Sequence, residues 1–191
     1  FHDIVERKKL ETILKSSEEQ FRSIYENNNS IMLISDMDKH TIISANNAAC
    51  KFYGYSKEQF VNMDMAKMNP KEAYKVEEFI NLLKKEKSSS IVIEHFLANG
   101  TPKVVEVSGS IIPYSDKNVL FSIITDMTEK HEALRMVRKS EEKFSKAFKT
   151  SPDAFALSRI EDGYYIDIND SFVRLMEYDI DEVISNSAIS M

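Results

Sequence analysis

The sequence is poor in cysteine, glycine and proline, and it contains no tryptophan. Its 191 residues include one cysteine, Cys50, together with four glycines and four prolines. A single cysteine excludes an internal disulfide framework and a cysteine-rich zinc site. With only four glycines, glycine-rich phosphate-binding loops are not expected. The P-loop, G-x-S-x-G and H-E-x-x-H motifs are all missing. We therefore predict no catalytic residues and no metal site.

Long apolar runs and an excess of positive charge are missing as well. No stretch of about 18 uncharged apolar residues occurs, so the sequence predicts no membrane span. The first residues, 1–7, have neither the basic nor the apolar region of a signal peptide. The net charge of −6 argues against a general nucleic-acid surface. A hydrophobic content of 42% instead indicates a folded chain.

A weak internal repeat organises the chain. An offset of 123 residues aligns 1–68 with 124–191 without a gap, and eleven aligned positions are identical. The identities include Phe21 with Phe144 and Asn46 with Asn169. They fall at helix caps and at positions typical of a core, which favours a repeat over a chance register between two unrelated domains. The repeat unit is then about 123 residues long.

The first half of this unit predicts a helix, a hairpin and two short helices. Leu14, Phe21 and Tyr25 recur at helical spacing, which indicates a helix over 6–26. Two short apolar runs separated by polar turn residues then predict strands near 31–34 and 41–43. Asn46 opens a helix that ends at Gly54, and Ser56 begins a capping box for the next helix.

The second half predicts one longer helix and three strands. An Asn99-Gly100 pair marks a hairpin turn, and strict alternation follows it. The predicted ranges are a helix over 71–86, strands over 91–97, 103–112 and 119–125 with a turn over 113–116, and a further helix over 129–149.

Several motifs, in this order and spacing, resemble those of a known family. They are Asn46-Asn47-Ala48-Ala49, then Gly54-Tyr55-Ser56, then Ile93 to Gly100, then Val105-Glu106-Val107, and last Ile123 to Lys130. Together they resemble a PAS domain of bacterial and archaeal sensor proteins. The resemblance implies an α+β fold, with a five-stranded antiparallel sheet carrying helices on one face, flanked by long linker helices and followed by an incomplete second copy.

The same resemblance divides the chain into four segments. Residues 1–16 would end a preceding copy and begin a linker helix, and 17–129 would form the complete PAS domain. Residues 130–149 would be a linker helix resembling a coiled coil, and 150–191 the N-terminal half of a second domain.

The implied function is that of a sensory module without activity of its own. Such modules relay a signal through linker helices to an output domain, most often a histidine kinase, with a diguanylate cyclase as an alternative. The resemblance also implies a homodimer, formed through the linker helices and contacts between PAS domains, and a cytoplasmic location in a parent that can be membrane-anchored elsewhere. A passive spacer is the plainer alternative.

A pocket on the inner side of the sheet would hold any small-molecule ligand. An ordinary filled core is the alternative for this set, since methionines and aromatic residues at such positions are typical of both. The predicted lining residues are Phe52, Tyr53, Phe60, Met63, Met65, Met68, Tyr74, Phe79, Ile80, Val92, Val107 and Ile124.

Cofactor chemistry is disfavoured by position, and the sequence does not identify a cofactor. Cys50 lies one helix too early for the flavin adduct of photoactive members of the family. The predicted helix over 71–86 has no histidine for haem iron, and His95 falls on a strand. His131 lacks the sequence context of a phosphoacceptor histidine. A haem or flavin sensor therefore stays the weaker alternative.

The remaining predicted site residues either transmit a signal between a strand and a helix or cap helices. Asp126, Thr128 and Glu129 are expected to couple the last strand to the following helix, since this segment resembles the motif that ends PAS domains. Asn46, Ser56 and Asn169 are expected to cap helices.

Overall fold

The computed structural model of the chain describes residues 2–114 and 116–176, and these form two compact units. The first unit ends at His131 and the second begins at Glu132. The helices and strands are α1 His2–Glu26, β1 Ile31–Asp36, β2 Thr41–Ala45, α2 Asn47–Tyr53, α3 Lys57–Phe60, a 3-10 helix Met65–Met68, α4 Tyr74–Glu86, β3 Ser88–Phe96, β4 Pro102–Tyr114, β5 Lys117–Asp126, α5 Thr128–Thr150, β6 Ala156–Ser158, β7 Tyr165–Ile168 and α6 Asp170–Met176.

A five-stranded antiparallel sheet forms the first unit, in the spatial order β2-β1-β5-β4-β3. The first and last strands of the unit meet at its centre, where Ile31 pairs with Ile124. Strand β5 lies at the centre of the sheet and leads directly into α5, which begins two residues after β5 ends. The predicted α+β class and five-stranded antiparallel sheet are confirmed.

The boundaries of several elements differ from the prediction. Helix α1 begins at His2 rather than residue 6, and α4 begins at Tyr74 because residues 71–73 form a turn. The turn predicted over 113–116 is mostly strand, since Pro113 pairs with Asn118. Proline is tolerated there because β3 reaches only as far as Ser110, so that this part of β4 has a free edge.

The hydrophobic core lies on the inner face of the sheet, under α2, α3 and α4. Alternate β4 residues face it, with Val105 and Val107 buried, as the period of two predicts. Helix α4 contributes Phe79, Ile80 and Leu83, all buried. Most of the apolar stabilisation of the unit therefore comes from a single layer between the helices and the sheet.

Gly109 makes room for this layer. A Cβ atom at this position would lie 2.9 Å from two ring carbons of Phe79 and 3.0 Å from the Leu120 Cδ1 atom. Both neighbours are buried, so they have little space to move. A glycine here permits the close approach of α4 to the sheet.

Replacing Gly109 by alanine is expected to destabilise the first unit by about 1–3 kcal/mol, because the added methyl group overpacks the core. Urea denaturation followed by circular dichroism would measure the loss. Ser108→Ala is the matched control, since Ser108 is the exposed preceding residue of the same strand. Equal stabilities for the two variants would contradict this interpretation of the packing.

The outer face of the sheet is partly covered by the last turn of α1. Tyr25 packs there with Met32, Ile34 and Val119 in a second buried cluster. Burial raises the pKa of the Tyr25 phenol to about 12, so this side chain stays uncharged. The end of α1 is thereby fixed to the two central strands.

The second unit repeats the beginning of the first. Its described part comprises most of α5, the antiparallel pair β6–β7, and α6. Phe144 and Phe148 stack at a centroid distance of 5.9 Å, as Phe21 and Tyr25 do at 6.2 Å in α1. These pairs are related by the 123-residue offset of the sequence.

Candidate functional site

A small cavity lies between α4 and the inner face of the sheet. Its volume is about 50 Å³, and the residues around it are mostly apolar. This is room for a few water molecules or a molecule of a few heavy atoms, whereas pockets for drug-sized ligands measure about 300–1,000 Å³. Any ligand that fits this cavity is therefore very small.

Half of the predicted pocket residues line this cavity. They are Met65, Met68, Phe79, Ile80, Val107 and Ile124. Three others, Tyr53, Phe60 and Met63, are buried in the surrounding core without lining the cavity. Phe52 is partly buried and lines an open surface groove instead.

The prediction needs correction at Tyr74 and Val92, which lie outside the cavity. Val92 is 54% exposed because Ile91 and Ile93 take the inner face of β3, and period-two alternation turns Val92 outward. Tyr74 is 59% exposed because α4 begins at this residue, before the turn whose side chains reach the core.

Four polar residues around the cavity were missing from the prediction. Ser35, Lys75, His95 and Ser122 all line it. Alternation along β5 could have indicated Ser122, since it stands between the inward-facing Leu120 and Ile124. No comparable pattern marks Lys75, which lies at the start of α4 and pairs with Glu72 at 2.7 Å.

A buried hydrogen bond joins His95 to Tyr53. The Nδ1 atom of His95 lies 2.7 Å from the Tyr53 hydroxyl, and both side chains are buried. Burial lowers the pKa of His95 to about 4 and raises the pKa of Tyr53. Both rings are therefore neutral near pH 7, and the pair anchors α2 to β3.

The cavity does not fit a haem or a flavin. Its volume of about 50 Å³ is far below that of either group. Cys50, on α2, packs against the core and does not line the cavity. Within residues 2–114 and 116–176, no cluster of histidine, cysteine and carboxylate side chains could hold a metal ion.

The junction between β5 and α5 is held by a compact set of hydrogen bonds. The Asp126 carboxylate accepts bonds from the Thr128 backbone N–H at 2.9 Å and from the Thr128 hydroxyl at 2.5 Å. The Thr128 hydroxyl oxygen in turn accepts from the Val104 N–H at 3.1 Å. The first turn of α5 is thus tied to both β4 and β5.

An ion pair completes this junction. Lys103 on β4 lies 3.1 Å from the Asp126 carboxylate. Burial alone would raise the pKa of Asp126, but the bonds from Thr128 and the lysine charge outweigh it and hold the pKa below its usual value. The carboxylate is therefore ionised near pH 7. Among the described residues, nothing bonds or pairs with the Glu129 side chain.

Asn46 joins three elements through one buried side chain. Its Oδ1 atom accepts from the Ala49 N–H at 2.9 Å and from the Met32 N–H at 3.1 Å. Its Nδ2 atom donates to the carbonyls of Tyr25 at 3.0 Å and Ser30 at 2.8 Å. All four hydrogen-bonding positions of this amide are used, so it caps α2 and fastens both α1 and β1.

Asn169 makes the equivalent bonds in the second unit. Its Oδ1 atom accepts from the N–H groups of Phe155 and Phe172, each at 2.9 Å, and its Nδ2 atom donates to the Asp153 carbonyl at 2.7 Å. Each partner stands 123 residues after the corresponding partner of Asn46.

Ser56 caps α3 in the reciprocal way that its sequence predicts. Its hydroxyl accepts from the Gln59 N–H at 3.3 Å, while the Gln59 side chain accepts from the Ser56 N–H at 2.8 Å.

Comparison with known families agrees with this fold. A family model described as "PAS domain" matches residues 28–129, and another with the same description matches residues 142–190. The first match covers more than half of the chain. The chain belongs to the PAS domain family.

Similar proteins include one curated relative and many solved structures. A methyl sulfide methyltransferase-associated sensor of Methanosarcina acetivorans is 34% identical over 121 residues, which are 63% of this chain and 12% of that protein. The chain thus spans about an eighth of this relative's length.

Two solved structures share the fold at low sequence identity. The PAS domain of an HTR-like protein from Haloarcula marismortui has a TM-score of 0.56 and 18% identity, covering 62% of this chain and 98% of that one. A domain of a sensory box sensor histidine kinase/response regulator from Geobacter sulfurreducens has a TM-score of 0.50 and 19% identity, covering 58% and 95%. No described helix is long and apolar enough to cross a membrane.

Proposed function

We propose that the first unit senses a small ligand, or the state of a neighbouring domain, and passes this signal through α5 to an output domain. The cavity wall and the output junction share one strand. Leu120, Ser122 and Ile124 of β5 line the cavity, and the same strand ends at Asp126. A shift of β5 at the cavity therefore reaches the first turn of α5 through the bonds of Thr128.

The continuity of β5 is the observation that carries this proposal. A sensor needs a physical connection between the place where a signal arrives and the element that reports it. Here the connection is a single central strand held by neighbours on both sides. The curated relative is named a sensor, which agrees with this function.

A histidine kinase is the output domain that we propose. One of the structural neighbours comes from a sensor histidine kinase, and the family resemblance favours the same parent. A diguanylate cyclase is the alternative output. The chain itself would supply no catalytic residue in either case, and we place it in the cytoplasm.

The linker helices would pair two copies of the protein in a tandem array of PAS domains. Helix α5 exposes Leu134, Val137 and Phe144 along one stripe, and α1 similarly exposes Leu14 and Phe21. Burying such stripes in a parallel coiled coil would remove apolar surface from water. Glu141 lies within the α5 stripe and would weaken a single tight packing, which suits a bistable relay.

Uncoupling the junction tests the relay. In the full-length parent protein, Asp126→Asn combined with Thr128→Val removes the ion pair and the bonds to Val104, so the output activity is expected to lose its response to the signal. The fold should survive, because only about 1–2 kcal/mol of partly exposed hydrogen bonding is lost. Autophosphorylation in the presence and absence of the signal would measure the response.

Asp38→Asn combined with Thr41→Val provides the control for this experiment. The two substitutions are of the same kinds, and they lie at the turn between β1 and β2, at the opposite end of β5 from the junction. The control variant should respond as the wild type does. A junction variant that is fully folded and still responds normally would overturn the proposed relay.

A further inference from the structure

Two buried serine hydroxyls face the cavity without a hydrogen-bond partner. Ser35 is 2% exposed and Ser122 is 4% exposed, and both line the cavity. They share the inner face of the sheet with Leu33 and Leu120. No group in the part of the chain that the structure describes bonds to either hydroxyl. Hydroxyls at a cavity wall that no other group bonds are free to bond to a polar guest.

The strand register brings the two serines together. Ser35 on β1 pairs with Leu120, and Ser122 on β5 pairs with Leu33. They are therefore diagonal neighbours on one face, with backbones roughly 7–8 Å apart and side chains closer. A single oxygen or nitrogen atom of a small molecule can approach both hydroxyls at once.

The other walls near the serines favour an uncharged guest. Met65, Phe79 and Ile124 are apolar, and the one ionised group around the cavity, Lys75, is already paired with Glu72. A charged ligand would lose its hydration here without gaining a counter-charge. A neutral molecule would lose less hydration free energy. The serine hydroxyls would also replace its hydrogen bonds to water, since they can both donate and accept.

We propose that the cavity binds a small uncharged organic molecule, whose hydroxyl or carbonyl oxygen bonds to Ser35 and Ser122. The apolar remainder of this molecule would lie against Met65, Phe79 and Ile124. The volume of about 50 Å³ restricts it to a few heavy atoms. This inference rests on the proposed sensory function, because it names the ligand class of the same cavity.

Four probes of similar size separate the possible ligand classes. Acetone and propan-2-ol carry a neutral oxygen, acetate carries the same number of heavy atoms with a negative charge, and xenon tests for a purely apolar cavity. Each would be titrated into the 191-residue chain with 13C-labelled methionine methyl groups. The resonances of Met65 and Met68 report on the cavity, because both residues line it.

Acetone and propan-2-ol are expected to shift these resonances saturably, and acetate is expected not to. Combining Ser35→Ala with Ser122→Ala should weaken binding of both neutral probes at least tenfold. The variant should fold normally, since removing hydroxyls that bond to no other group leaves no polar group unpaired. Ser108→Ala, on the exposed outer face, is the control and should bind as the wild type does.

Three results would overturn the inference. Shifts with xenon alone would make the cavity purely apolar. Equal affinity of the wild type and the double variant would remove the serines from the site. No shift with any probe would mean that the hydroxyls bind only water. None of these results contradicts the relay, which the junction variant tests separately through its output.

Discussion

Replacing Asn46 by alanine is expected to lower the free energy of unfolding of the first unit by about 3–4 kcal/mol. The change removes four hydrogen bonds at once and leaves the N–H groups of Met32 and Ala49 buried without partners. It also frees the carbonyls of Tyr25 and Ser30. Each unpaired buried group carries its own desolvation cost, so the loss exceeds that of an ordinary helix cap.

Urea denaturation followed by circular dichroism would measure this loss. Asn47→Ala offers a matched control one residue away, because Asn47 is exposed and makes no side-chain bond within the described residues. The control should change stability by less than about 0.5 kcal/mol. A loss for Asn46→Ala no larger than that of the control would show that the amide does not hold the three elements together.

The stability of the first unit is expected to fall as the pH drops from about 6.5 to about 4. His95 is buried as a neutral ring with a pKa of about 4, against an ordinary value of 6.5. Between these values the unfolded chain binds a proton that the folded unit does not, so protonation favours unfolding. The full contribution, about 3 kcal/mol, is present above pH 6.5 and is lost progressively below it.

His95→Gln separates this effect from other acid-sensitive groups. Glutamine can still accept a bond from Tyr53 but does not titrate, so the slope of stability against pH should flatten between pH 6.5 and 4. His131→Gln is the control for replacing a histidine, since His131 is exposed on α5. Asp36 titrates lower, because its bonds to Lys117 and to the Lys39 backbone hold its pKa at about 2. An unchanged slope in His95→Gln would be inconsistent with a buried neutral histidine.

Local patterns in the sequence predict most of the fold. Alternation along β4 gives its buried face, and Asn46, Gly54 and Ser56 mark the helix ends through side-chain and backbone chemistry that acts over a few residues. Gly54 adopts a positive φ of 78° at the end of α2, as a left-handed cap requires. Such signals are short-range and can be found without knowing the tertiary structure.

The composition of the cavity depends on strand alternation and on contacts between residues that are distant in sequence. Val92 is apolar but faces outward, while Ser122 is polar but faces inward, as the period of two along β3 and β5 places them. The bond between Tyr53 and His95 joins residues 42 positions apart. Hydrophobicity alone therefore selected plausible core residues and missed the polar groups that give the cavity its chemistry.

The bonds of Asn46 also bear on the order in which the chain can fold. They span at most 21 residues, so the segment from the end of α1 to α2 can close early and at a small loop-entropy cost. The pairing of Ile31 with Ile124 instead waits until almost the whole unit has left the ribosome. During synthesis, the Asn46 amide can therefore stabilise the segment from the end of α1 to α2 before β5 is available to pair with β1.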